Sequence, residues 1–274
     1  MIDNKQAILL TGISGGMGFS IAKKFAESGY FVFGIDKNPL KEDINGVSFI
    51  KVDVTKKEEI EQAFKVVKNA GYKLKCIINA AGITDLNSLV EMSEEDFIKM
   101  FDTNVFGMYR VNKTFLPLLE ERGKIIMISS ELGPLNPLPF IGIYGITKST
   151  VEKYAYSLRM ELQLKGYQVV LIRPGAVDTQ MIEESNRQLE KFVSETKQYS
   201  EISKQFKDIV SSVESKKIPP EKIAKLIYKV CQKKKAKYVY KINRNLGLLI
   251  LNALPHRFQN WIIKKLLKPK KKKR

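Results

Sequence analysis

The chain has 274 residues, 44% of them hydrophobic, which is enough for one sizeable core and too apolar for a disordered protein. Its 47 Lys+Arg against 29 Asp+Glu give a net charge of +18, and the excess sits at one end. Residues 1–200 hold 25 basic and 25 acidic side chains, whereas residues 201–274 hold 22 and 4. A neutral body with a basic end is not a uniformly basic nucleic-acid binder.

In chain order, Ala7-Leu10, Tyr30-Ile35, Val47-Val52, Cys76-Asn79, Ile125-Ile128 and Val169-Ile172 each predict a buried strand, and Tyr238-Ile242 predicts a seventh. Helical spacing separates them. Met17, Ile21, Ala22, Phe25 and Ala26 form one apolar face ended by Gly29; Ile60, Ala63, Phe64 and Val67 form another ended by Gly71. Apolar strands alternating with amphipathic helices predict an α/β doubly wound, mostly parallel seven-stranded sheet over 1–244. Residues 181–218 are polar and break the rhythm, as either a substrate-covering insertion at the C-terminal edge of the sheet or a surface helical excursion of no functional weight. Residues 245–274 are expected to be an amphipathic, basic C-terminal extension.

Cys76 and Cys231 lie 155 residues apart, so no disulfide framework is expected. A single histidine, His256, excludes a His-rich metal site and argues against a Ser-His-Asp triad; no metal is expected. Met1-Ile2-Asp3-Asn4-Lys5 leads directly into a strand, without the pattern of a signal peptide, and no apolar run reaches bilayer-spanning length. The expectation is a cytoplasmic protein, free or peripheral to a membrane.

Between the first strand and first helix lies Thr11-Gly12-Ile13-Ser14-Gly15-Gly16-Met17-Gly18. Glycines there allow a sharp turn and close approach to a pyrophosphate at a helix N-terminus. The second strand ends at Asp36, where a carboxylate can accept from ribose hydroxyls and would repel a 2′-phosphate. NAD is therefore preferred over NADP, although Lys37 beside Asp36 offsets part of that repulsion.

Tyr144 and Lys148 open a further helical stretch, one turn apart on one face. Free tyrosine titrates near ~10, and a neighbouring ammonium is expected to lower that value and make the phenol usable for proton transfer. Around this pair fall Asn79-Ala80-Ala81-Gly82 at a strand end, Asn104 opening a helix, Ser129-Ser130 after a strand, and Pro174-Gly175-Ala176-Val177-Asp178-Thr179. In order and spacing, from about residue 5 to about residue 180, the chain resembles the short-chain dehydrogenase/reductase family.

The resemblance implies a Rossmann fold and the following positions. Thr11, Gly12, Gly16 and Gly18, with Ser14 and Met17, match the cofactor loop. Asp53 and Val54 match the adenine contact, Asn79 and Gly82 the NNAG motif with Ala80 in place of its second Asn, and Pro174, Gly175, Val177 and Thr179 the segment that holds the carboxamide. Asn104, Ser130, Tyr144 and Lys148 match the catalytic tetrad. Tyr144 would exchange the proton, Lys148 would lower its pKa and bind the nicotinamide ribose, Ser130 would position the substrate oxygen, and Asn104 would hold a relay water. The segment between serine and tyrosine is longer than usual and carries three prolines, which leaves Ser129 as the alternative to Ser130.

The expected reaction interconverts a secondary alcohol and a ketone on a lipophilic, hydroxysteroid- or retinol-like substrate, with Leu86, Phe140, Ile141, Ile143, Met181 and Ile182 as candidate apolar wall. A carrier-linked 3-ketoacyl reductase and a non-catalytic dinucleotide-binding protein are the alternatives. A homodimer or homotetramer is implied by the resemblance. At the basic end, Leu246-Leu254 and then Phe258, Trp261, Ile262 and Leu266 are flanked by Lys264, Lys268 and Lys270-Arg274, while Lys265 intrudes on the stripe. This pattern suits an anionic membrane surface, at roughly 1 kcal/mol per basic residue. Simple packing with a solvated tail and nonspecific nucleic-acid binding are the other readings, and no specific nucleic-acid module is present.

Overall fold

Alternation within the first strand sets the architecture. Ala7 and Leu9 point to one face of the sheet and Ile8 and Leu10 to the other, all fully buried, so both faces must be covered. The computed structural model describes residues 6–214 and 216–268, apart from the side chains of 211–214. Met1 to Lys5 and the Pro269 to Arg274 tail lie outside them.

Seven strands, β1 (Ala7–Thr11), β2 (Phe31–Asp36), β3 (Val47–Lys51), β4 (Leu74–Asn79), β5 (Leu119–Ile128), β6 (Gln168–Pro174) and β7 (Val239–Ile242), form one sheet in the order β3-β2-β1-β4-β5-β6-β7. Every neighbouring pair is parallel. The chain starts in the middle, winds outward to β3, then crosses back to β4. That reversal opens a crevice between the ends of β1 and β4.

On one face lie α2 (Lys57–Asn69), α4 (Met108–Phe115) and α5 (Gly142–Leu162), whose Ile60, Val111 and Val151 join Leu9, Ile77 and Met127 in the core. On the other, α1 (Gly16–Ala26) and α8 (Pro220–Gln232) bring Ile21, Phe25, Ile223 and Ile227 onto Ile8, Ile78 and Ile126. Each such aliphatic side chain contributes about 1.5–3 kcal/mol on burial. Gly29 and Gly71 end α1 and α2 at φ +83° and +76°, as their sequence positions predict.

Three features depart from the sequence expectation. Helix α3 (Glu94–Phe101), capped by Ser93, runs into a π-helical stretch, Asp102–Gly107, so Asn104 lies inside a widened turn instead of opening a helix. Residues 181–218 are mostly two helices, α6 (Gln180–Glu195) and α7 (Ser200–Glu214). They close on Phe140 and Leu86 through Leu189, Phe192 and Phe206, forming a third, separate apolar cluster over the sheet's C-terminal edge.

The third departure corrects the disulfide expectation: Cys76 of β4 and Cys231 of α8 are bonded, both fully buried. Sequence separation hid this because α8 crosses the face that Cys76 occupies, next to Ile8 and Ile78. The chain ends in α9 (Leu246–Ala253) and α10 (His256–Leu266). No helix among the described residues is long and apolar enough to cross a membrane.

Candidate active site

The cleft at the β1/β4 reversal has a volume of about 1810 Å³ and runs from the glycine loop, past Asp36, to the lid helix α6. Gly12 sits at φ +72°, and an added Cβ would lie 2.6 Å from the Ala81 backbone N; at Gly18 it would lie 2.0 Å from the Gly12 carbonyl oxygen. Only glycine permits this packing of loop on strand. Helix α1 begins at Gly16 with no side-chain cap and no acidic residue in its first turn, so its leading N–H groups face the cleft unspent. That donor set fits a pyrophosphate.

Asp36 stands at the end of β2 on the cleft wall, where its carboxylate accepts from the Ser14 N–H at 3.1 Å and the Asn38 N–H at 2.9 Å. Ser14 donates its hydroxyl to the Asn38 carbonyl. The ribose-level acid and the phosphate loop are therefore one hydrogen-bonded unit. Asp53 lines the same cleft beside Val54. Burial pushes the Asp53 pKa up, but the Thr55 amide and hydroxyl, Lys37 and Lys56 outweigh it and hold the acid below its ordinary value. The pocket residues thus fit a nicotinamide dinucleotide.

Ser14, Gly16, Met17, Gly18, Ala80, Gly82 and Thr179 also line the cleft. Other sequence candidates stand behind its wall. Thr11 is buried and accepts from the Ala80 and Ala81 N–H groups, tying the end of β1 to that of β4. Asn79 is buried and donates to Asn112, which donates to the Tyr154 hydroxyl. Pro174 ends β6, Gly175 packs so tightly on Asn243 that a Cβ would sit 1.9 Å from its carbonyl oxygen, and Val177 bridges to Ile218 in the core.

Ser130, Tyr144 and Lys148 come together without lining this cleft themselves; Gly82, which does line it, stands next to the Lys148 amine. Tyr144 and Lys148 ride the first turns of α5, and the Lys148 ammonium lies 5.5 Å from the Tyr144 ring centroid. Lys148 donates to the Ile128 carbonyl at 3.1 Å and is almost wholly buried. Ser130 hydrogen-bonds Tyr144, whereas Ser129 donates to Glu152 at 2.6 Å. Ser130 is thus the serine on the tyrosine side.

One electrostatic expectation is corrected. Burial pushes the Tyr144 pKa up to about 12, and the Ser130 hydrogen bond relieves only part of that rise. Lys148 does not lower it below the free value, because the amine is itself desolvated: burial drops its pKa to about 8, against a smaller opposing pull from Glu152. At neutral pH the phenol holds its proton firmly and the amine is still mostly charged.

The Asn104 side chain is tied into its surroundings. Its Oδ1 accepts from the Ile83 N–H at 2.8 Å, and its amide donates to the Ile83 carbonyl and to Thr147 Oγ1. The side chain clamps the π-helical turn to the strand-end loop and to α5. At Gly82 a Cβ would come 3.2 Å from Asn104 and 3.7 Å from the Lys148 amine, so this glycine keeps the floor beside Lys148 open.

Sequence reasoning missed Glu152 and Arg173. Glu152, one turn past Lys148, makes a two-pronged ion pair with Arg173 at 2.9 and 2.5 Å and anchors Ser129. The i+4 spacing from Lys148 was the available signal. Also missed was Glu91, which accepts from Thr196 Oγ1 and from the Lys197 and Gln198 N–H groups and so clips the lid's turn to the loop after β4.

Residues 6–190 match the short chain dehydrogenase family. The protein belongs to that family. The chain is similar to the 3-ketodihydrosphingosine reductase of Bacteroides thetaiotaomicron, 30% identical over 239 residues that cover 86% of this chain and 87% of that protein. It is also similar to the NADPH-dependent 3-dehydrocapnine reductase of Ornithobacterium rhinotracheale, 29% identical over 95% of this chain and 96% of that one. In fold it matches a short-chain dehydrogenase from Streptomyces avermitilis with a TM-score of 0.76 at 23% identity, covering 95% and 97% of the two chains. The chain is thus an oxidoreductase of this family.

Proposed function

We propose that the protein interconverts a ketone and a secondary alcohol on a lipophilic substrate, with Tyr144 as the proton donor and acceptor and NAD(H) preferred over NADP(H). The observation that carries the reading is the Ser130–Tyr144–Lys148 group, its tyrosine half-buried and its amine close to Gly82 of the glycine-cradled cleft. The nicotinamide supplies or removes the hydride. Ser130 orients the substrate oxygen and Tyr144 gives it a proton, so that charge does not build up on that oxygen. Lys148 keeps a positive charge beside the phenol as it ionises. A tyrosine that holds its proton at pH 7 suits the reductive direction.

Both relatives are named as reductases, one of a 3-keto compound and one of a 3-dehydro compound. Their names support a ketone substrate and add a 3-keto lipid-like molecule, taken here as long-chain, to the hydroxysteroid and retinol of the sequence. Similarity to the estradiol 17-beta-dehydrogenase 2 of Mus musculus keeps the hydroxysteroid in view. The Phe140–Phe192–Phe206 cluster under the lid is apolar, as an alkyl chain requires. For the cofactor, the NADPH-dependent relative points one way and Asp36 the other; the carboxylate on the cleft wall of this chain favours NAD(H).

The test is a substrate panel of long-chain 3-ketones, a ketosteroid and retinal, each with NADH and NADPH, followed by loss of reduced-nicotinamide absorbance. Fastest turnover of a long-chain ketone with NADH is expected. Turnover confined to the aldehyde would overturn the ketone assignment.

A further inference from the structure

Helices α9 and α10 are not absorbed by the catalytic reading, and no residue of α9 is fully buried. Leu246, Ile250 and Ala253 recur at i, i+4, i+7 and are all exposed, Leu246 by 71% and Ile250 by 66%. On α10, Phe258 and Trp261 are exposed by 59% and 60%, with Leu266 beyond them. Five large apolar side chains thus stand in solvent on two consecutive helices, more than scattered surface hydrophobics account for.

Charge says what covers them. No acidic residue follows Glu221 in the sequence, and 18 basic ones do. Lys264, Lys265 and Lys268 are exposed; Lys264 and Lys268 lie beside the apolar stripe, and Lys265 sits within it with its ammonium 5.0 Å from the Trp261 ring centroid. A second copy of this chain would bring these lysines against their own kind. An anionic lipid headgroup layer meets both needs: acyl chains for the rings and aliphatic side chains, and phosphates for the ammonium groups. Tryptophan beside lysine is a combination that settles at such an interface.

We propose that α9 and α10 form a peripheral docking surface for an anionic lipid bilayer. The surface is fastened to the substrate side of the enzyme. Gln259, buried, receives the Asn136 side-chain amide and itself donates to the Asn252 and Leu254 carbonyls; Asn252 accepts from the Asn136 N–H, and the Asn245 N–H donates to Glu131. Leu267 packs on the Phe140 and lid cluster. Docking would therefore hold the segment between Ser130 and Tyr144, and the lid, close to the bilayer.

Trp261 is the only tryptophan in the chain, so its emission reports on this surface alone. The experiment titrates the full chain with vesicles of phosphatidylcholine, with and without an equal part of phosphatidylglycerol. A blue shift with anionic vesicles, quenching by brominated acyl chains, and at least a tenfold weaker partition for the double variant Ile250→Glu, Phe258→Glu are expected. Unchanged emission with anionic vesicles, or the same response to neutral ones, overturns the proposal. So does a blue shift that tracks protein concentration without lipid, which would assign the surface to a second copy. Both substituted residues are exposed, and a circular-dichroism melt unchanged from wild type establishes that the variant is folded; if it is not, Lys264→Glu, Lys265→Glu replaces it with the same expected loss.

Discussion

Tyr144 and Lys148 are forced into opposite protonation habits by the same cause. Desolvation disfavours the charged form of each, so the phenol moves up to about 12 and the amine down to about 8. For catalysis, kcat/KM for ketone reduction should be level below pH 8 and fall above it as Lys148 loses its charge. A profile flat to pH 10 would contradict that role. For stability, Lys148 gives up its proton near 8 when folded but only near 10.5 when unfolded, so the unfolded state binds more protons between these values. Stability should therefore rise with pH across that window, by about 3 kcal/mol at most. Tyr144 works the other way: its contribution is complete below 10 and is lost as pH rises through about 12. Urea unfolding at pH 7 and pH 10 checks the lysine part, and Lys148→Met should remove most of the rise.

Asp36 gives the second test at this scale. Asp36→Ala should lower the NADPH Kd at least tenfold while weakening NADH, read by fluorescence titration. These residues were legible in the sequence because each falls at a fixed place in a strand–loop–helix unit. What could not be read was how a site closes on itself. Nothing in the spacing of Asn104 shows that its amide is spent on Ile83 and Thr147, or that Thr11 and Asn79 stand behind the wall.

At the scale of elements, the five inner strands were recognisable because both of their faces are buried and they read as apolar runs, whereas the edge strands β3 and β7, with no fully buried residue, were recognisable by their β-branched and aromatic residues. Helix α5 was marked by Val151, Ala155 and Leu162 at helical spacing. The lid was readable only as a helical excursion, because α6 and α7 carry polar outer faces and the apolar side chains they bury, Leu189, Phe192 and Phe206, form a small cluster with Leu86 and Phe140 apart from the main core. That cluster is held from one side by Phe140 and from the other by the Glu91 clip. Glu91→Ala should free the lid's turn, raising KM for a long-chain ketone several-fold with the NADH Kd unchanged. Equal loss of cofactor affinity would mean that the clip supports the whole cleft and not the lid alone.

At the scale of the molecule, the Cys76–Cys231 bond joins the central sheet to α8 across 155 residues. Closing so long a loop stabilises chiefly by restricting the unfolded chain, and its removal typically costs about 2–5 kcal/mol. Denaturant unfolding with and without reductant should show that difference, and the double variant Cys76→Ala, Cys231→Ala should no longer respond to reductant. The pairing was invisible in sequence because two cysteines alone give no register; only the crossing of α8 over β4 supplies it. The basic end, by contrast, was visible as composition from the start, and its helices show where the exposed apolar stripe lies.

The proton carried by Tyr144 is the centre of this account, and replacing the residue with phenylalanine tests it most directly. In Tyr144→Phe the ring and its packing remain and only the hydroxyl is lost. Single-turnover reduction of a long-chain ketone should slow by at least about a thousandfold, while NADH, titrated by fluorescence, binds within a factor of about two of wild type. Turnover at the wild-type rate with that binding intact would contradict the mechanism.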